Sequence, residues 1–372
     1  MEYTKDDLLV LGKRYNNAKR SYLLIDPLQA KHIPVSPSAA LKMMRSLGKK
    51  LYEKTGGADC IIGFAETATA IAAAAASEFD DDPFFIHTTR EYFEGEELLY
   101  FSEEHSHASE QFIYRRFLEK GDFHSVILID DEFSTGKTLM NIISVLKKLP
   151  SMSNAVFTAG SVINRISPEN LAKFHDGGTD FISLCEIDED DFEERVRGMD
   201  ISAPIENYTR IEKKYEVFVP DRFDEWTPYD IRLGNDTGDL FRHINEFVKK
   251  AGEYLAGKIS PDERILVMGT EEFMCPALVL GEWLEDEGFN VLSHSTTRSP
   301  IGISSDEDYP IRSGYKIHSF YDTERNTFIY NTASYDKIIV VTDSRNDEAV
   351  DLAMRDITSV FEADAFYLVR YI

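Results

Sequence analysis

The chain has 372 residues, and at roughly 100–200 residues per domain that length accommodates about two globular domains with real cores. Lys and Arg number 40 against 66 Asp and Glu, a formal charge of -26, so its surface repels nucleic acid and general DNA or RNA binding is excluded. With 43% apolar and 12% aromatic residues, it has too much surface to bury to be a disordered polymer.

The chain opens with Met-Glu-Tyr-Thr-Lys-Asp-Asp, without the basic start and apolar run of a signal peptide. No stretch approaches the ~18 consecutive apolar residues of a membrane span. A cytoplasmic protein with no membrane partner is expected. Cys60, Cys185 and Cys275 lack zinc-site spacing and disulfide density, so they read as buried small apolar residues.

In chain order, Leu41, Met44, Leu47 and Leu51 predict a helix over 36–53, stopped by Gly56 and Gly57. The strand Cys60–Gly63 follows, then the polar elbow Phe64-Ala65-Glu66-Thr67, an Ala-rich helix to about Ser77 and the strand Phe84–His87. Residues 91–110 are mostly charged and read as a loop, and Val126–Ile129 is an apolar run of the kind buried in a parallel sheet. A loop, a helix and strands at Ala155–Ile163 and Phe181–Leu184 complete an α/β pattern with a doubly wound parallel sheet.

Seven of the nine residues from Glu186 to Glu194 are acidic, and the following stretch holds Pro204, Pro220, Trp226 and Pro228 with little periodicity. That composition suits a connection between domains. The expected division is 1–215 and 216–372. The second block begins with a helix sharing Phe241, Ile244, Val248, Ala251 and Leu255 on one face. It continues through a strand at Ile265–Met268, a helix at Leu278–Glu287 and strands at Val291–Leu292 and Ile338–Val341.

The two blocks repeat one another. Gly63 opens a turn and Thr88-Thr89-Arg90 closes the next strand; Gly269 opens a turn and Thr296-Thr297-Arg298 closes the next strand. Beyond each Arg an apolar strand ends in an acid, Asp130 in the first block and Asp343 in the second. The second domain is therefore read as an α/β duplicate of the first in degenerate form.

The run Val126-Ile127-Leu128-Ile129-Asp130-Asp131-Glu132-Phe133-Ser134-Thr135-Gly136-Lys137-Thr138 carries the chemistry. An apolar strand, paired acids and a small polar turn opening a helix suit a phosphorylated sugar: turn N–H groups cradle phosphate, and carboxylates accept from sugar hydroxyls. An ATP-type phosphate loop would need Gly where Asp131 stands.

These thirteen residues resemble the PRPP-binding signature of the type I phosphoribosyltransferases. A narrower resemblance spans nearly the whole chain. Asn16–Arg20, Lys31–Val35, Gly63–Thr67, Glu103-Glu104-His105-Ser106-His107 and Thr297-Arg298-Ser299-Pro300 are similar to phosphoribosyltransferases encoded with tellurium-resistance and stress-response genes, whose C-terminal domain is named TRSP. The resemblance implies a phosphoribosyl transfer from PRPP to a nitrogenous base or similar acceptor, or its reverse, in the synthesis of a nucleotide-like metabolite.

On that resemblance Asp130 and Asp131 face the ribose hydroxyls and serve catalysis, while Ser134, Thr135, Gly136, Lys137 and Thr138 bind the 5-phosphate. Ala65, Glu66 and Thr67 face the diphosphate. The loop after Arg90 is a closing lid, with Arg90 acting on the leaving group. His105 and His107 orient pyrophosphate or move a proton, or are surface histidines without a role. Mg²⁺ is the implied cofactor, held mainly by PRPP oxygens near Asp130 rather than by a protein ligand set.

In the second domain Thr270, Glu271, Glu272, Thr297, Arg298 and Ser299 form either a pocket for acceptor or phosphate, or part of a structural domain mimicking a dimer's second subunit. A homodimer or an internal pseudo-dimer are the implied assemblies. Lys19, Arg20, Lys31 and His32 are candidates for a substrate hood or a solvated leading segment. A non-catalytic sensor of PRPP or nucleotide is the alternative to an enzyme.

Overall fold

A computed structural model describes residues 3–17, 20–92, 95–101, 111–119, 121–189, 191–211, 213–220 and 230–372. It divides into two compact units. The first comprises Met1–Lys5, Lys42–Glu189 and Tyr229–His243, and the second Asp6–Leu41, Asp190–Pro228 and Ile244–Ile372. Among the described residues no helix is long and apolar enough to cross a membrane.

The first unit is built on a six-stranded sheet in the order Asn235–Asp236, Phe84–His87, Cys60–Gly63, Ser125–Phe133, Val156–Asn164 and Thr179–Glu186. All neighbours are parallel except the Asn235–Asp236 edge. Val126, Ile127, Leu128 and Ile129 are fully buried, as an uninterrupted apolar strand covered on both faces requires. The helix Thr69–Ala76 is buried throughout, because its alanines let it lie tight on the sheet. A Cβ on Gly63 would come within 2.6 Å of Ala72 Cβ, so only glycine permits that approach.

The second unit carries an all-parallel five-stranded sheet in the order Glu216–Phe218, Glu362–Arg370, Ser334–Thr342, Arg264–Gly269 and Asn290–Ser295. Four strands of each sheet are connected alike: Phe84, Cys60, Ser125 and Val156 begin strands in the spatial order of Asn290, Arg264, Ser334 and Glu362. The doubly wound class and the degenerate duplication are both present.

The structure departs from the expected elements in three places. Residues 91–110 were expected to be loop, yet Leu98–Phe101 forms an antiparallel hairpin with Gln111–Tyr114, burying Phe101, Phe112, Ile113 and Tyr114. The second unit has the matching hairpin Gly314–His318 with Asn326–Tyr330, and Glu362–Arg370 is a nine-residue strand beside Ser334–Thr342. Residues 6–41 count with the second unit instead of the first: Val35 exchanges backbone hydrogen bonds with Ser293, and Ile25 packs with Ile301, Ile311 and Tyr330. A single cut at 215 is not how the compact units divide.

Candidate functional site

In each sheet the chain leaves one strand toward one side and its neighbour toward the other, and the crevice beyond those strand ends is where open α/β sheets hold ligands. In the first unit these strands are Cys60–Gly63 and Ser125–Phe133. The strand runs on through Asp130, Asp131 and Glu132, so the acids are backbone-paired within the sheet, with Asp130 opposite Ser161 and Glu132 opposite Ile163. They are not in a loop after it.

Asp130, Glu132, Phe133 and the turn Ser134–Thr138 line one open cleft with Phe64 and Leu139. Gly136 has φ +78°, and a Cβ there would lie 2.5 Å from the Phe174 ring. A left-handed glycine is thus required to open the helix Lys137–Leu146. Its first-turn N–H groups have no partner within the helix and carry the positive end of its dipole, which is the chemistry of an anion cradle.

The three acids differ in environment. Glu132 pairs with Arg165 at 3.1 Å, both largely buried, so that charge is neutralised within the fold. Asp131 has its carboxyl pushed above the usual range, first by burial and also by the Glu132 charge, while hydrogen bonds to Asp130 and Thr67 oppose the rise. The contact with Thr67 joins the Ala65–Thr67 turn to the paired acids.

That turn is fixed from the other side. Thr88 Oγ1 accepts from Ala65 N–H at 2.7 Å and donates to Gln111 Oε1 at 2.5 Å, and Gln111 Nε2 donates to the Ala65 carbonyl. The Ala65–Glu66 peptide is cis and Glu66 is buried. Arg90 lies between two clamped neighbours: Thr89 pairs with Phe112, and the Glu91 carbonyl accepts from Tyr114 Oη at 2.6 Å. The structure therefore gathers the turn residues, Asp131 and the strand end that carries Arg90. His105 and His107 lie outside the described residues. Gln111 and Arg165 were not anticipated; both act through partners more than 20 residues away, and no local spacing marks them.

The second unit repeats these contacts. Thr296 Oγ1 accepts from Glu271 N–H at 3.0 Å as Thr88 does from Ala65, Thr297 pairs with Phe328 as Thr89 does with Phe112, and Tyr330 Oη donates to the Ser299 carbonyl as Tyr114 Oη does to Glu91. Met268 opposite Val340 matches Ile62 opposite Leu128, so Asp343 occupies the position of Asp131, and Thr342 that of Asp130. Thr270 Oγ1 bonds Thr342 and Tyr321, and Tyr321 Oη donates to Asp343 at 2.7 Å. Glu271 and Glu272 are buried, and Glu271 is paired with Arg298. Lys31 and His32 are buried in this same unit, with Lys31 Nζ donating to the Glu271 carbonyl at 2.9 Å, so neither belongs to a solvated segment.

A phosphoribosyl transferase family model matches residues 8–183, and a model of the TRSP domain, C-terminal to that transferase domain, matches 232–357. No curated protein matches. Among solved structures, the chain is similar to an adenine phosphoribosyltransferase from Giardia lamblia in complex with 9-deazaadenine, at 15% identity over 49% of this chain and 95% of that one, TM-score 0.37. It is also similar to an adenine phosphoribosyltransferase from Trypanosoma brucei solved with AMP, pyrophosphate and ribose-5-phosphate (14%, 44% and 82%, TM-score 0.32). A third is an orotate phosphoribosyltransferase from Aeropyrum pernix (17%, 43% and 75%, TM-score 0.26).

Proposed function

Because the chain belongs to the phosphoribosyltransferases that carry a C-terminal TRSP domain, we propose that its first unit binds PRPP and transfers the 5-phosphoribosyl group to a nitrogenous small-molecule acceptor, releasing pyrophosphate. One observation carries this reading. At the switch point of the first sheet, a carboxylate pair, a left-handed glycine turn at a helix start and a second polar turn clasped by Thr88 and Gln111 converge.

Each part has a task in the transfer. Turn N–H groups from Ser134 to Thr138 hold the 5-phosphate, and the Asp130 carboxylate accepts from ribose hydroxyls. As the C1–O bond breaks, positive charge develops on the ribose and negative charge on the diphosphate. The carboxylates stabilise the first; Arg90 and the Ala65–Thr67 backbone stabilise the second. A carboxyl whose pKa burial raises suits Asp131 as the base that takes a proton from the attacking nitrogen or a ribose hydroxyl.

Mg²⁺ supplies charge neutralisation on the diphosphate oxygens when it enters with the substrate. The cation would be carried mainly by substrate oxygens, with Asp130, which lines the cleft, as a nearby oxygen donor. Such a reaction would serve synthesis of a nucleotide-like metabolite in a tellurite or stress response.

The test is Mg²⁺-dependent pyrophosphate release from PRPP in the presence of a small-molecule cell extract, with the Asp130→Asn/Asp131→Asn variant as blank. Extract-dependent release by wild type alone supports the transferase, and fractionation then identifies the acceptor. Tight PRPP binding without release would replace it by the sensor reading.

A further inference from the structure

The second unit keeps the backbone plan of the first but fills both of its anion positions from within. Where the first unit has Ala65 in the diphosphate turn, the second has Glu271, held by the equivalent bond to Thr296 and fully buried. Its Oε2 accepts from Arg298 Nε at 2.6 Å and Arg325 Nη2 at 3.2 Å, and its Oε1 from Ser319 Oγ at 2.5 Å. Arg298 is the counterpart of Arg90 in the repeat. Where the first unit has its phosphate turn, the second has Asn346, whose side chain caps the Ala349 N–H, followed by Asp347 and Glu348 in the first helical turn. That helix start is occupied and acidic, which disfavours a phosphate there.

We propose that the Glu271 carboxylate is a built-in stand-in for pyrophosphate: it occupies the place beside Arg298 that the leaving group takes beside Arg90, and it closes the second unit to phosphorylated sugars. The inference rests on the reading of the first unit only for the identity of the anion. It accounts for an acid at a position where φ is +48° and for two arginines converging on it. It also makes the second crevice a paired, self-satisfied site in place of an empty pocket.

The experiment is titration of Mg²⁺-pyrophosphate into the full-length chain. Wild type is expected to bind one equivalent, lost in Arg90→Ala. Adding Glu271→Gly to Arg90→Ala frees the two arginines at a backbone angle glycine adopts readily. That double variant is expected to regain one equivalent, and Arg325→Ala on top is expected to weaken it at least tenfold. A wild type that binds none removes the first-unit reading, while the Glu271 arm still reports separately. A folded Glu271→Gly variant that gains no pyrophosphate overturns the proposal, as does a second equivalent in wild type that Arg325→Ala abolishes. Should glycine cost the fold, Glu271→Ala clears the same side-chain volume at a backbone angle less comfortable for alanine and is expected to admit pyrophosphate more weakly; a folded Ala variant with no gain also overturns it.

Discussion

The two units answer the same architectural question with opposite electrostatics. Both place a turn, a Thr-Thr-Arg strand end and an acid around the switch point of a parallel sheet, and in both a hairpin tyrosine clamps the residue after the Arg. In the first unit the helix start is a glycine turn open to a cleft; in the second it is capped by Asn346 and followed by two acids. The first has Ala65 at the position where the second inserts Glu271 between two arginines. A duplicated fold thus keeps its backbone contacts while a few substitutions at strand ends decide whether it invites an anion or supplies its own.

The largest expected effect separates the units by activity. Asp131→Asn should lower turnover by ~10²-fold or more, while Asp343→Asn, at the same register in the second sheet, should leave it within about twofold. Steady-state pyrophosphate release reads both. Since burial raises the Asp131 carboxyl, the wild-type rate should climb with pH through a group above the ordinary carboxylate range, and that limb should vanish in Asp131→Asn.

Next in size is Gly136→Ala. A left-handed alanine costs ~1 kcal/mol, and its methyl would meet the Phe174 ring, so about 2–4 kcal/mol of stability should be lost together with PRPP affinity. The urea midpoint and a PRPP titration check it. Ser344→Ala in the second unit removes a hydrogen bond to the Phe320 carbonyl and should cost stability, but should leave PRPP affinity unchanged.

The second unit has a pH effect of its own, on stability. His294 is buried with its pKa lowered to about 4 by desolvation, and its Nε2 bonds the Tyr330 carbonyl at 2.7 Å. The folded form therefore resists a proton that the unfolded form accepts near 6.5. The neutral-histidine contribution is full above that value and is lost as pH falls toward 4, by up to ~3 kcal/mol at 1.36 kcal/mol per unit. Urea midpoints across this window should drop less steeply in His294→Gln than in wild type.

The smallest effect is chemical. Cys60 and Cys275 are buried, and burial pushes the Cys60 thiol up, so only Cys185 should label in the folded chain and all three in urea. Prompt labelling of Cys60 would mean that the first sheet opens far more readily than its packing implies.

Much of this comparison was legible in residues that act locally. Apolar runs such as Val126–Ile129 and Ile338–Val341 located central strands, and the acids with Ser134–Thr138 located the cleft. The Gly63 and Gly269 turns revealed the repeat. What escaped depends on distant partners. The hairpin strand Leu98–Phe101 is stabilised by Gln111–Tyr114 across a charged stretch, so composition read it as loop. Asp130 was matched to Asp343 by counting, but sheet register matches Asp131, because only pairing with the neighbouring strand defines equivalence. Arg298 was placed either in a pocket for acceptor or phosphate or in a structural domain; its anion is the chain's own Glu271, which no spacing rule distinguishes from a solvent-facing acid. Residues 6–41 join the second unit through Val35 and Ile25, contacts invisible to any boundary drawn from proline and acid content.

The most direct measurement is the stoichiometry of PRPP binding by equilibrium dialysis with Mg²⁺ present. One PRPP per chain is expected, lost in Asp130→Asn/Asp131→Asn and retained in Asp343→Asn. Two per chain, or one that survives the first variant and disappears in the second, would contradict the assignment of the open site to the first unit and the filled site to the second.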